Sequence, residues 1–246
     1  MNRIRMCAFA RRVLLDILRD KLTLFFELGF PLGVMTLLCV IQKNVPVQIP
    51  MFQIESLAPG IAVFGLSFVS LFSGMLTARD RSGALLMRLR SSPMTACDYM
   101  LGYLLPLLPL AAGQCLICLL FAHVWGLPFS PRTALCLVSL VPAMVLFSAI
   151  GLLCGLTFSD RQVGSVCGAL LTNLTAWLGG IWFDTALLGR AFGQIARALP
   201  FSNAVEAGRA ALTGNGALAA PLAVVSLYAL AALTGAILLM RRRLRE

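Results

Sequence analysis

Lysine is almost missing from this chain: of 246 residues only Lys21 and Lys43 carry it, and they follow Asp20 and Gln42. A phosphate-binding loop needs Gly-Lys-Ser/Thr, whose backbone amides and lysine cradle the phosphates. The chain therefore holds no nucleotide in that way, and any ATP-powered work must draw on another polypeptide. Histidine is rarer still. His123 stands alone, which excludes H-E-x-x-H, and G-x-S-x-G is absent too. Acids number ten, and only Glu27 falls inside a long apolar stretch, so no proton relay through buried carboxylates is visible. The eight cysteines are scattered. Cys115 and Cys118 form a C-x-x-C, but in mid-helix that spacing only places two small hydrophobes on one face. Enzyme chemistry and metal binding have little to stand on.

What the chain does have is apolar length. Apolar residues make up 59% of it, and the mean hydropathy is +0.90. Six apolar stretches lie at 23–41, 57–77, 100–122, 134–157, 163–183 and 217–240. Each approaches or exceeds the ~20 residues that carry a helix across ~30 Å of hydrocarbon. Lipid offers no partner to backbone N–H and C=O, so each stretch is predicted to be helical. The expected fold is an all-α integral membrane protein of six transmembrane helices. An N-terminal interfacial amphipathic helix (1–22) precedes one membrane domain (23–246), with short extracellular helices in 184–216.

The basic residues orient the spans. Fifteen lie in the segments on one side, including Arg11, Arg12, Arg79, Arg81, Arg88, Arg90 and Arg241, against five (Lys43, Arg132, Arg190, Arg197, Arg209) on the other. The positive-inside rule then places both termini in the cytoplasm of a multi-pass protein of the cell (plasma or inner) membrane. A net charge of +10 needs no nucleic acid. These arginines flank spans, where each meets anionic membrane lipids at about 1 kcal/mol, and aromatic-interleaved basic stretches are absent. No small-residue cleavage site follows Ile41, so the first stretch is expected to stay.

Between the spans, 4–22 repeats apolar residues at helical spacing and reads as a helix in the cytoplasmic interface. The loop 78–99 is the largest cytoplasmic feature, and its residues 84–90 form an amphipathic turn or two ended before Pro93. Prolines 31, 106, 109 and 142 are expected to bend their spans. After Trp182-Phe183, an aromatic interface anchor, a helix is expected over 186–199. A second follows, capped by Asn203 with Glu206 completing the box, and runs to Thr213 before Gly214. Glu27 reads as an interfacial carboxylate near Lys21 or Arg19. Gln114 and Asn173 are mid-span polar groups, available for hydrogen bonds between helices of about 0.6 kcal/mol or for lining a substrate path. No repeat relates the two halves, which speaks against an inverted-repeat transporter.

The run Asp80-Arg81-Ser82-Gly83-Ala84-Leu85-Leu86-Met87-Arg88-Leu89-Arg90-Ser91-Ser92-Pro93 resembles the cytoplasmic loop after span two of the ABC-2 type permeases. There an acidic residue and small residues precede an apolar-basic stretch and Ser/Thr-Pro. Gly179-Gly180-Ile181-Trp182-Phe183 and Leu199-Pro200-Phe201-Ser202-Asn203 are similar to that family's exit from span five and its following short helix. The resemblance covers essentially the whole chain. It implies a permease homodimer or heterodimer working with ABC ATPase subunits, which bind the ATP and Mg; this chain would bind no cofactor. It also implies coupling to the ATPase through Asp80, Arg81, Gly83, Arg88, Arg90, Ser92 and Pro93. The extracellular gate would include Trp182, Phe183, Pro200, Asn203, Glu206 and Arg209. The family often has Glu and further acids where only Asp80 stands here, so the arginines should shape the ATPase contact. The implied activity is export of a hydrophobic or amphiphilic substrate of the drug, lipid or peptide class. A polysaccharide-exporting permease of the same family and a stand-alone secondary transporter or channel are the alternatives.

Overall fold

The computed structural model describes residues 3–46, 49–83, 94–183 and 189–244, and among them every regular element is a helix. Helix α1 (Arg3–Arg19) buries Phe9, Val13 and Ile17, one per turn, as its amphipathic pattern requires. It stops at Asp20, whose carboxylate accepts the Thr23 N–H at 3.0 Å and caps the next helix. These hydrogen bonds from Thr23 hold the Asp20 carboxyl below its ordinary range.

Among the described residues, five helical segments are long and apolar enough to cross a membrane. They are α2 (Lys21–Asn44), α3 (Ile54–Ser82), α4 (Ala96–Val124), the pair α5 (Pro131–Ser139) with α6 (Val141–Thr157), and α11 (Ala219–Arg243). Of the six spans expected from hydropathy, the fifth is not among these five. The stretch expected at 163–183 is divided into α7 (Asp160–Val163), a π-helical segment (Gly164–Leu171) and α8 (Thr172–Leu178). The Thr172 hydroxyl donates to the Cys167 carbonyl five residues back at 3.0 Å, in the wider register of a π turn. Pro142, expected to bend the fourth stretch, interrupts it instead, leaving Leu140 as the joint between α5 and α6, because proline has no N–H to continue the ladder.

Helix α3 is the axis of the molecule. Its most apolar window is 72% buried inside the protein, against 28% for α2 and 17% for α11. The outer helices turn large apolar side chains such as Phe25, Leu37, Leu227 and Leu230 outward. Backbone meets backbone closely in the core where α3 crosses α6. A Cβ at Gly151 would collide with the Ser70 carbonyl and Ser73 hydroxyl, and one at Gly155 with the Gly74 carbonyl. One at Gly74 would come within 2.9 Å of the Gly151 carbonyl. The Gly151-x-x-x-Gly155 spacing lets two backbones approach where lipid supplies no hydrophobic drive, so dispersion does the work.

Candidate functional site

The last turn of α3 aims three consecutive side chains at three different partners. Arg79 donates to Asp160 at the start of α7 at 3.2 Å. Asp80 accepts from Arg12 of α1 at 2.9 and 3.3 Å and from the Tyr103 hydroxyl of α4 at 2.7 Å. Arg81 donates to the Leu156 and Phe158 carbonyls, both at 2.8 Å, and so closes the C-terminus of α6. These ties differ in weight. The Arg79–Asp160 side chains are 58% and 41% exposed, so water screens them. The Asp80 side chain is only 12% exposed and carries three charge-assisted bonds. Burial pulls the Arg12 guanidinium down, but Asp80 and Asp16 outweigh it and leave Arg12 raised.

Packing backs the polar ties. Phe9 of α1 stands edge-on to Tyr99 and Tyr103, with ring centroids at 5.5 and 4.9 Å. Gly102 makes the room, since a Cβ there would come within 2.6 Å of the Phe9 ring. Gly83 closes α3 through its N–H to the Arg79 carbonyl at 3.0 Å. Arg88, Arg90, Ser92 and Pro93, with the expected 84–90 turn, lie outside the described residues. The chain returns through a capping box in which Thr95 and Asp98 bond reciprocally and start α4. Both ends of that short segment are thus anchored.

At the other end of α3 a second cluster forms. Arg209 of α10 (Pro200–Thr213) donates to the Ser56 carbonyl and to the Gly180 carbonyl, each at 3.0 Å. The expected cap at Asn203 is corrected here. Helix α10 begins at Pro200, whose fixed φ and missing N–H suit the first helical position. Asn203 lies inside it and donates to the Arg197 and Leu199 carbonyls at 2.8 and 2.7 Å, closing α9 (Arg190–Ala198) instead. Glu206 is exposed and completes no box. Gly214 ends α10 at φ +74°, as its position implied.

Between the clusters an open groove of about 500 Å³ runs along α2, α3 and the π segment. Phe30, Phe64, Phe68, Trp177 and Trp182 line it, with Thr172 and Asn173 as its polar members. Trp182 meets Phe64 edge-on at 6.3 Å, and Phe183 is half-buried beside it. The Asn173 amide donates to Ala169 of its own helix at 2.8 Å. Gln114 is not in the groove; it is fully buried, pressed against Gly65 of α3. Glu27, expected near Lys21 or Arg19, pairs with neither: it is fully buried, and its carboxylate oxygens have no partner among the described residues. Sequence reasoning missed Arg12 and Tyr103 as partners of Asp80, which are distant in the chain, and the Gly151-x-x-x-Gly155 crossing, which a scan for small residues four apart would have found.

The family model described as ABC-2 type transporter matches residues 5–213, a span that includes both clusters and the groove. Comparison with the curated proteins gives no match.

Proposed function

This chain belongs to the ABC-2 type transporter family and is the membrane permease part of such a transporter, and we propose that it exports a hydrophobic or amphiphilic substrate. The substrate class would be a drug, lipid or peptide, driven by ATP bound and hydrolysed on separate ABC ATPase subunits. The chain has no Gly-Lys-Ser/Thr of its own. Two permease chains pair, each crosses the cell membrane six times, and both termini face the cytoplasm. The divided fifth stretch supports the sixth crossing. It begins at Asp160, beside the end of α3, and leads to Gly180, beside the start of α3. The scarcity of hydrogen-bonding groups in the groove, where only Thr172 and Asn173 are polar, favours an apolar substrate over a sugar.

The observation that carries this reading is the three-way anchoring of α3 by Arg79, Asp80 and Arg81, immediately before residues 84–93. A push on that segment by a closing ATPase reaches α1, α4, α6 and α7 together rather than bending one helix. Asp80 and Arg81 then act inside the permease, while Arg88, Arg90, Ser92 and Pro93 meet the ATPase. ATP drives transport only if the outward-open permease fits the closed ATPases better than the inward-open one does. Gly83→Pro, which removes the N–H that closes α3, is expected to abolish ATP-dependent export by reconstituted vesicles with membrane insertion intact. The double variant Arg88→Glu/Arg90→Glu is expected to do the same. Normal export by these variants would remove the coupling role.

Arg209 is expected to hold the outer gate. Arg209→Ala deletes two hydrogen bonds from a charged donor to the Ser56 and Gly180 carbonyls, each worth about 1.5–3 kcal/mol. A lower melting temperature and loss of substrate-stimulated hydrolysis should follow. An unchanged melting temperature would mean that water replaces both bonds.

A further inference from the structure

Beneath the first turns of α2 lies a niche that the coupling mechanism does not use. Its volume is about 50 Å³, room for about three or four water-sized groups. Glu27 sits on its wall, fully buried, with neither carboxylate oxygen hydrogen-bonded. The other ionisable groups facing the niche are Asp16 and Asp20 from the α1 end and Arg79 from α3; α4 contributes the apolar Leu107. Most of these are already committed. Asp16 is paired with Arg12 at 3.2 Å and Arg79 with Asp160 at 3.2 Å. Asp20 spends one oxygen on the Thr23 N–H. Glu27 alone has no cation and no donor among the described residues.

A carboxylate buried without donor or counter-charge is strongly disfavoured, so Glu27 takes up either a proton or a cation. A divalent metal does not suit it, because no three metal-ligating side chains come together among the described residues. Water would satisfy the oxygens but leave the charge. The geometry points to a binding site for a primary ammonium group, seated on Glu27 inside the niche, with its alkyl chain against Ile17, Leu76 and Leu107. Its N–H donors match the two Glu27 oxygens, and its charge is the counter-charge the carboxylate lacks. A trimethylammonium group has no N–H to give to either oxygen. The ammonium can belong to a lipid headgroup or to a free amine, and the test separates them.

Purified protein in phosphatidylcholine nanodiscs would be titrated with n-hexylamine and, separately, with hexanol and hexyltrimethylammonium, reading the melting temperature. Hexylamine alone is expected to give a saturable rise. Glu27→Gln keeps shape but loses charge, so it should melt cooperatively while its apparent affinity falls by about tenfold or more. Glu27→Asp, which keeps the charge on a shorter stem, should bind with intermediate affinity. If phosphatidylethanolamine discs raise the wild-type melting temperature and abolish the hexylamine response, the lipid headgroup is the ligand; if the response persists there, it is the free amine. An equal rise with hexanol, an equal rise in Glu27→Gln, or no saturable rise at all would overturn the site. These readouts need neither ATPase nor transport, so they stand apart from the export proposal.

Discussion

Asp80→Ala is expected to lose nearly all ATP-driven transport while the protein still inserts and its partner still hydrolyses ATP. The change removes an acceptor shared by α1, α3 and α4, leaving the Arg12 guanidinium without its bidentate partner and the Tyr103 hydroxyl without that acceptor. Breaking a buried pair from one side costs about 3–5 kcal/mol. Arg12 is 39% exposed and keeps Asp16, so about 2–3 kcal/mol is the expected loss here. The functional loss is larger, because α1 no longer moves with the end of α3. Arg79→Ala is the internal comparison. Its pair with Asp160 is exposed on both sides and should cost at most about 1 kcal/mol with transport retained. Export and thermal melting of the two variants side by side check the ranking. Equal effects would mean that charge at the end of α3, rather than the Asp80 junction, matters.

Gly151→Val should be more damaging still, and through packing alone. Any Cβ at 151 overlaps the Ser70 carbonyl and the Ser73 hydroxyl of α3. Backbone cannot rotate away as a side chain can, so α6 and α3 must separate. Overpacking in cores costs about 1–3 kcal/mol and occasionally more, and at the most buried crossing of this molecule the upper end applies. Gly155→Val meets the same obstacle at the Gly74 carbonyl. By contrast, a Cβ at Gly33 or Gly113 meets nothing within 4 Å. Alanine at either should be neutral or stabilising by up to about 1 kcal/mol, the ordinary gain in helix propensity. The yield of folded protein and the melting temperature of these four variants would test whether close backbone contact holds the bundle.

These variants also show which parts of the molecule could be read from its sequence. Apolar runs are local, so α2, α3, α4 and α11 fell within a few residues of their expected bounds. The break at Pro142 and the stop at Gly214 were local chemistry too. Asn203 failed as a cap because two signals competed: an Asn–Glu spacing, and a proline three residues earlier whose rigid φ starts the helix first. The π segment was invisible to hydropathy, since Gly164–Leu171 is as apolar as its neighbours and differs only in register. Arg12 and Asp80 are 68 positions apart, and no spacing rule links them. Glu27 misled for a related reason. Its place near a span end implied exposure, but the packing of α1 and α3 over it buries the carboxylate.

The central claim is that the segment following Asp80 receives force from a nucleotide-hydrolysing partner in the cytoplasm. A photo-activated cross-linker placed at Arg88 in sealed, right-side-out cells addresses it directly. The account predicts a nucleotide-dependent cross-link to an ABC ATPase subunit and no labelling of residues 80–93 by impermeant reagents from outside. Labelling from outside, or a transporting complex in which no ATPase ever contacts that segment, would contradict it.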